Sequence, residues 1–152
     1  MNGGGGGTSD TLDEDATLAS DLTYSGLITN DIQAGEDVTF GNILYMKSDG
    51  KLYDADATAS VSSLVFGMAV SGSSADAYPI ILRSGYVRDE SWDWTVGVAL
   101  YLAKASGSYN SGSMTETPTT GSGDQLNMLG IAYSTSSVQF SPTNTLAETL
   151  EA

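Results

Sequence analysis

Acidic and tryptophan side chains share one short stretch of the sequence, and this combination can support sugar chemistry. The stretch contains Asp89, Glu90, Trp92, Asp93 and Trp94. Two carboxylates beside an aromatic surface are typical of glycosidases, in which one acid stays protonated while the other stays charged. However, Asp93 belongs to an internal repeat in which Asp37 occupies the same place. A repeated acid is more often a turn-forming residue than a catalytic one, so we predict no catalytic residue and no enzymatic activity.

Two other groups of acids have the oxygen ligands that calcium prefers. They are Asp54-x-Asp56 and Asp10-x-x-Asp13-Glu14-Asp15. Neither group has the spaced acids, the central Gly and the terminal Glu of an EF-hand loop. We therefore expect ordinary solvated carboxylates, with no bound metal ion and no cofactor.

The overall composition excludes several other classes of function. The 152 residues include no His and no Cys, which removes zinc sites built on those residues, His-dependent nucleophiles, iron–sulfur centres and disulfides. Nineteen acidic and five basic residues give a formal net charge of −14, and such a surface repels nucleic-acid phosphates. No apolar run approaches the roughly 20 residues that span a bilayer. We predict neither a nucleic-acid partner nor a membrane partner.

The aromatic side chains near the acids are better candidates for binding. Trp92 and Trp94 point to the same side if the segment is extended, because alternate residues of a strand share a face. Their ordinary role is packing in the core or at a subunit interface, where indoles dominate the binding energy, and stacking on a sugar together with Tyr86 is the alternative. Arg88 lies among acids and should pair with a carboxylate of this chain or of a neighbouring subunit. We predict an interface at Tyr86, Arg88, Trp92 and Trp94.

The first residues of the chain form a separate, glycine-rich region. Residues 1–21 contain the run Gly3, Gly4, Gly5, Gly6 and Gly7, followed by acids without a basic partner. Polyglycine loses much backbone entropy on ordering and buries no side chain, so we predict a flexible arm over residues 1–21. Bare backbone of this kind can become ordered against a partner or a sheet edge, and the five glycines therefore join the predicted interface.

The rest of the chain predicts a β-protein, since Thr, Ser, Gly, Val, Ile and Tyr suit strands and tight turns. Ser48-Asp49-Gly50-Lys51 has the Asp-Gly signal of a hairpin turn. We predict one all-β domain over residues 22–145, followed by a short tail over residues 146–152.

Other strand boundaries are predicted from apolar runs and Gly-containing breaks. Ser84-Gly85 separates predicted strands at 78–82 and 86–88, residues 126–133 read as one strand, and residues 105–124 read as a long Ser/Gly/Thr-rich loop.

Part of this domain is repeated. Two segments align at an offset of 56 residues: Asp37-x-Thr39-Phe40-Gly41-x-x-Leu44-Tyr45-Met46 and Asp93-x-Thr95-Val96-Gly97-x-x-Leu100-Tyr101-Leu102. A second match follows at an offset of 63 residues, between Gly67-Met68-Ala69 and Gly130-Ile131-Ala132. Because one such β-unit cannot bury its apolar face alone, we predict that two pseudo-repeated units pack into one small barrel or sandwich.

Several motifs resemble small structural proteins of tailed bacteriophages. The similarity covers about residues 35–142 and is most specific over Leu82-Arg83-Ser84-Gly85-Tyr86-Val87-Arg88-Asp89-x-Ser91-Trp92-x-Trp94-Thr95-Val96-Gly97. It extends to Ser48-Asp49-Gly50-Lys51-Leu52-Tyr53, Gly67-Met68-Ala69 and Phe140-Ser141-Pro142. A looser similarity exists to the β-tulip decoration proteins of lambda-like phages.

The resemblance implies a β-tulip-like subunit that forms a homotrimer on the outside of a virion. The function it implies is that of a capsid decoration, or cement, protein that binds between subunits of the major capsid protein and stabilises the shell. It also implies an N-terminal arm that becomes ordered on the capsid. Two alternatives remain open: a fibre or receptor-binding module that holds host-surface glycans through its tryptophans, and a self-assembling extracellular filament subunit.

Overall fold

The computed structural model describes residues 15–106 and 109–148. Within these residues every regular element is a β-strand, which confirms the predicted all-β class. The strands are β1 (Thr23–Thr29), β2 (Ile43–Met46), β3 (Leu52–Asp54), β4 (Gly67–Ala69), β5 (Ile81–Arg88), β6 (Ala99–Leu102), β7 (Met114–Thr115), β8 (Gln125–Leu126), β9 (Met128–Ala132), β10 (Ser137–Phe140) and β11 (Ala147–Glu148). The described part of the chain has no helix that could cross a membrane.

Nine of the strands form one sheet that curls into a half-barrel. Its order is β3-β2-β4-β5-β10-β9-β6-β7, with β1 paired alongside β5, while β8 and β11 form a separate ladder. Strand β5 connects the two halves, since Ile81 and Leu82 pair with β4 and its last four residues pair with β10. We call β2, β3, β4 and the start of β5 the first unit, and β6, β7, β9 and β10 the second unit.

The predicted repeat is present in the strand pairing. In the first unit Ile43 lies opposite Met68, and Leu44 lies opposite Gly67. The aligned residues of the second unit have the same partners, as Ala99 lies opposite Ile131, and Leu100 lies opposite Gly130. The two units therefore share their register as well as their sequence motif.

The turn before each central strand is repeated as well. Gly41 and Gly97 have φ angles of +92° and +86°, a conformation that glycine adopts without steric cost. Their backbone N–H groups donate to the carbonyls of Ala69 and Ala132, at 2.7 and 2.8 Å. The glycine that the two repeated segments share is thus explained by the same turn, which occurs once in each unit.

The predicted hairpin turn joins β2 to β3. The N–H of Lys47 donates to the carbonyl of Lys51 at 3.0 Å, and Gly50 has a φ of +81°. The Oδ1 atom of Asp49 accepts from the N–H of Lys51 at 3.0 Å. The Asp-Gly signal therefore gave the correct position of the turn.

The predicted break at Ser84-Gly85 is wrong, because β5 runs through it. Gly85 lies opposite Gly26 of β1, with φ angles of +143° and +149°. A Cβ atom on either glycine would overlap the backbone of the other strand. The two glycines permit a close approach of the two strands. Gly85, which predicted a turn, is therefore explained by this contact.

Two other boundaries differ from the prediction. The expected loop over residues 105–124 contains β7, whose Met114 pairs with Leu102. The expected strand over residues 126–133 is divided into β8 and β9 at Asn127, which is fully buried. Its amide donates to Ser63 O at 2.6 Å and to Asn144 Oδ1 at 2.9 Å, and its Oδ1 accepts from the N–H of Asn144 at 3.1 Å. Asn127 thus interrupts the strand and connects the second unit, through hydrogen bonds, to the loop between β3 and β4.

Two apolar clusters hold the sheet, and the two units contribute opposite faces to the larger one. From the first unit, Ile43, Met68 and Leu82 enter the central cluster. From the second unit, the members include Leu100, Leu102, Val138 and Phe140. The smaller cluster lies on the other face of the first unit and contains Ala34, Val38, Leu44, Leu52, Ala69 and Ile81. The first unit is therefore covered on both faces.

The described residues also extend past both predicted domain boundaries. The glycines Gly3 to Gly7 lie outside the described residues, but residues 15–21 are hydrogen-bonded to the sheet. Arg88 Nη1 donates to Leu18 O at 3.0 Å, and the N–H of Glu90 donates to Asp21 Oδ1 at 2.7 Å. At the other end β11, within the predicted tail, pairs with β8.

Candidate functional site

The outward surface of the second unit is the first candidate site. Tyr86 lies opposite Gln139, Gln139 lies opposite Ile131, and Ile131 lies opposite Ala99. Directly opposed residues of antiparallel strands share a face, and Tyr133, two residues after Ile131, shares it too. We call the surface formed by these residues the outer face: Tyr86, Ala99, Ile131, Tyr133 and Gln139.

The outer face is exposed at Ile131 and Tyr133, although the matching positions of the first unit are buried. Ile131 is 42% exposed, whereas its repeat counterpart Met68 is 0% exposed. Tyr133 is 45% exposed, whereas its counterpart Val70 is 4% exposed. In the first unit, the residues on this side pack against the second unit. In the second unit, no strand of the described residues lies over the corresponding side.

The chemistry of the outer face differs from the rest of the surface. None of these five residues is charged, although the chain has a formal net charge of −14; the charged Arg88, two residues after Tyr86 on the same side of β5, lies at the edge of the surface. The rings of Tyr86 and Tyr133 make an edge contact with centroids 5.6 Å apart. Exposed apolar side chains that cluster on one surface are typical of interaction sites on soluble domains, and tyrosine is enriched at protein interfaces. Tyr86, predicted as an interface residue, is one of the two tyrosines of this face.

Arg88 lies at the end of β5 next to this surface. Its Nη2 atom is 3.9 Å from Glu90 Oε2, as expected for an arginine among acids. Its Nε atom is buried and has no hydrogen-bond partner among the described residues. Because Leu18 O takes the bond from Nη1, Arg88 anchors the segment that leads into β1.

The second candidate site is a cleft beside the loop that joins β5 to β6. We call it the tryptophan cleft; it measures about 340 Å³, and its lining includes Phe40, Asn42, Asp89, Ser91, Trp92 and Trp94. The indole centroids are 5.9 Å apart and their planes are tilted by 47°. Both indoles also pack against the central cluster. The tryptophans therefore combine core packing with an accessible aromatic surface.

Asp89 is the acid that the fold places in this cleft. It is 9% exposed, and its Oδ1 accepts from the N–H of Ser91 at 2.9 Å and from the Ser91 hydroxyl at 2.6 Å. The other acids of the stretch, Glu90 and Asp93, are exposed and do not line the cleft. Of the three acids in the stretch, Asp89 alone lines the cleft.

Asp37 was expected to bond to the backbone of its own turn, but its side chain has a different partner. Asp37 Oδ1 accepts from the N–H of Ala75 at 2.9 Å, so it joins two loops instead of closing its own turn. The side-chain bond that closes that turn comes from Asn42, whose Oδ1 accepts from the N–H of Thr39 at 2.7 Å.

The candidate calcium ligands do not converge in the described residues. No group of three or more acidic ligands occurs there, and the residues before Asp15 lie outside the described part. Asp54 is instead half-buried beside Glu36, whose Oε2 accepts from the N–H of Asp54 at 2.7 Å. Burial, with a smaller contribution from the charge of Glu36, raises the pKa of Asp54 to about 6.

Sequence reasoning located the tryptophans but missed the outer face as a unit. Tyr86 does not line the cleft and contacts Tyr133 instead, so the predicted group of three aromatics is split between two sites. The signal for the outer face was the repeat itself, because Ile131 aligns with Met68. That alignment shows which positions correspond, but the burial of each unit becomes visible only when the two units are packed.

No family model matches this chain, and no curated protein sequence is similar to it. The two surfaces described above are therefore the features of the chain that bear on its function.

Proposed function

We propose that this chain is a structural virion protein that decorates the outside of a bacteriophage capsid, as a homotrimer bound between subunits of the major capsid protein. The outer face is the observation that supports the proposal most directly. It is an uncharged, tyrosine-containing sheet surface on a strongly acidic chain. A surface that is covered in one unit and open in the other is suited to contact with another protein.

The electrostatics of the chain support the same role. Copies with a formal charge of −14 repel one another in solution, so close contacts are least costly through surfaces without charge. The outer face is such a surface, since Tyr86, Ile131 and Tyr133 are all neutral. High negative charge elsewhere keeps a protein soluble at high local copy number.

The mechanism of stabilisation is linkage between binding and assembly. A protein that binds the assembled lattice, and does not bind its dissociated subunits, shifts the equilibrium toward the intact shell. This role requires complementary surfaces and no bond-making chemistry. A cleft that is lined by Asp89 but not by Glu90 or Asp93 is compatible with it.

The proposal is tested by adding the purified chain to shells that lack decoration and measuring occupancy. Ile131→Asp and Tyr133→Asp each place a charge on the outer face, and we expect occupancy to fall by tenfold or more, because an unpaired charge in an interface is strongly unfavourable. Tyr78→Asp is the control, since Tyr78 is exposed but lies outside the outer face. Wild-type occupancy of both outer-face variants would contradict the proposal.

The glycine-rich region is tested separately. We propose that residues 1–21 contact the capsid or an adjacent subunit, with Gly3 to Gly7 lying against the partner. Removal of residues 1–14 leaves the hydrogen bonds of Leu18 and Asp21 in place, so the folded domain should keep its thermal stability while occupancy falls. Unchanged occupancy of this truncated chain would reject a role for residues 1–14, which include the five glycines.

A further inference from the structure

We propose that the tryptophan cleft binds a neutral pyranose ring, which is a binding activity separate from the contact between protein subunits. The cleft combines an aromatic wall with a buried acceptor and an unused donor. Its volume of about 340 Å³ lies at the small end of ligand sites, which span about 300 to 1,000 Å³. A site of this size suits one or two sugar rings.

The aromatic wall is rigid before a ligand arrives. Trp92 and Trp94 both pack against the central cluster, and Phe40, which also lines the cleft, packs there too. Side chains fixed by the core lose little entropy when a ligand binds. One face of a pyranose consists of C–H groups, and burying these groups against indole removes apolar surface from water.

Two polar groups at the cleft are held in place but keep free hydrogen-bonding capacity. Asp89 Oδ1 takes both bonds from Ser91, and Oδ2 has no partner among the described residues. Asn42 Oδ1 takes the bonds from the N–H and the hydroxyl of Thr39, and the Asn42 Nδ2 group has no partner in the same described part of the chain. One acceptor and one donor beside an aromatic wall match neighbouring sugar hydroxyls, each of which can donate and accept.

Burial of the carboxylate adds to the strength of this match. Asp89 is 9% exposed, and hydrogen bonds to a charged acceptor are stronger than those between neutral groups. The same charge disfavours phosphorylated, sulfated or carboxylated sugars, as does the net charge of −14. A quaternary ammonium ligand would use the aromatic rings and the carboxylate, but it would leave the donor of Asn42 unpaired. The ligand class that uses all three features is a neutral sugar.

Intrinsic fluorescence provides a direct test, because the chain contains 2 tryptophans and both line the cleft. The full chain is titrated with the methyl pyranosides of glucose, galactose, mannose and N-acetylglucosamine, and with choline as the cationic comparison. We expect a saturable change in tryptophan emission with at least one pyranoside, confirmed by calorimetry. No saturable change with any pyranoside, or a change with choline alone, would overturn the proposal.

Two nearly isosteric variants test the polar groups without removing the turns. Asp89→Asn keeps an oxygen that can accept from Ser91, and Asn42→Asp keeps an oxygen that can accept from Thr39. Each variant loses one group offered to the sugar, and we expect the Kd to rise by roughly 10- to 100-fold. Asp93→Asn is the matched control, because Asp93 is exposed outside the cleft. The proposal fails if Asp93→Asn and the two cleft variants bind the sugar equally well.

Trp92→Phe tests the wall in the same way. It keeps an aromatic ring against the core but reduces the stacking area, so binding should weaken while the thermal midpoint changes little. Capsid occupancy of these cleft variants should equal that of the wild type, since the outer face is untouched. Loss of sugar binding with full capsid occupancy therefore separates this inference from the proposed structural role.

Discussion

The two units of the sheet have the same register and the same turn, but they differ in how many of their faces are covered. The first unit packs one face on the second unit and the other on the cluster that contains Ala34 and Val38. The second unit packs one face on the first unit, and its outer face stays open. A repeated backbone therefore does not imply a repeated environment, and the surface proposed for binding is the one face of the two units that is left uncovered.

The largest difference between the units should appear when matched apolar side chains are truncated. Met68→Ala removes a fully buried side chain and should lower the free energy of unfolding by about 2 to 5 kcal/mol. Ile131→Ala removes its exposed counterpart and should cost about 1 kcal/mol or less. Urea unfolding of both variants measures the difference. Equal losses would mean that the outer face is covered in the isolated chain.

A smaller but still large effect is expected at the polar contact between the units. Asn127 bonds to Ser63 of the connection between β3 and β4, and to Asn144 after β10. Asn127→Ala leaves the carbonyl of the buried Ser63 without this donor, and we expect a loss of about 1 to 3 kcal/mol. Thr143→Ala is a milder comparison, since its hydroxyl makes a longer bond of 3.3 Å to Asn127. A stability change at Asn127 no greater than that at Thr143 would argue against a tie between the units.

The repeated turn should respond equally in the two units. Gly41→Ala and Gly97→Ala each force a side chain into a positive-φ conformation, at a cost of about 1 to 2 kcal/mol. Open space surrounds the Cβ position of Gly97, and the nearest atom to that of Gly41 is 3.5 Å away on Trp92. The two variants should therefore agree in thermal midpoint to within a few degrees. A loss at one position alone would show that the turns are not equivalent.

The smallest expected effect is a dependence on pH that belongs to the first unit. The pKa of Asp54 is raised from 3.8 to about 6, chiefly by burial. Since the folded chain holds this proton more tightly than the unfolded chain, stability falls as the pH rises from about 4 through 6. Asp54→Asn should remove that decrease, so the variant gains thermal stability over the wild type above pH 6. Parallel pH profiles of the two proteins would contradict this assignment.

Local features of the fold could be predicted from the sequence. The hairpin at Asp49-Gly50 depends on a few neighbouring residues, the correspondence of the two units follows from the repeat, and the all-β class follows from composition. The break at Ser84-Gly85 was misread because glycine serves both turns and close strand contacts, and the partner strand with Gly26 is distant in sequence. Likewise, Asn127 sits in an apolar run, and its partners lie 64 and 17 residues away.

The candidate sites were partly predictable for the same reason. Trp92 and Trp94 stand out by residue type, and their position two residues apart favoured a common surface. The contribution of Asn42 could not be foreseen, because it lies 50 residues before Trp92 and reaches the cleft through folding. The outer face could not be predicted, because both units have apolar residues on both sides and the sequence does not show which side of each unit faces inward.

The use of opposite faces by the two units has a consequence for how such a chain can grow. Each unit offers one side to its successor and takes its predecessor on the other, which is the geometry of an open array. The segment with Ala34 and Val38 acts as a lid at the first end, and arrays of this kind need a cap at each terminus. At the far end a third duplicated unit would fit as naturally as a foreign surface, so lengthening by gene duplication and docking to a neighbour are two outcomes of the same geometry.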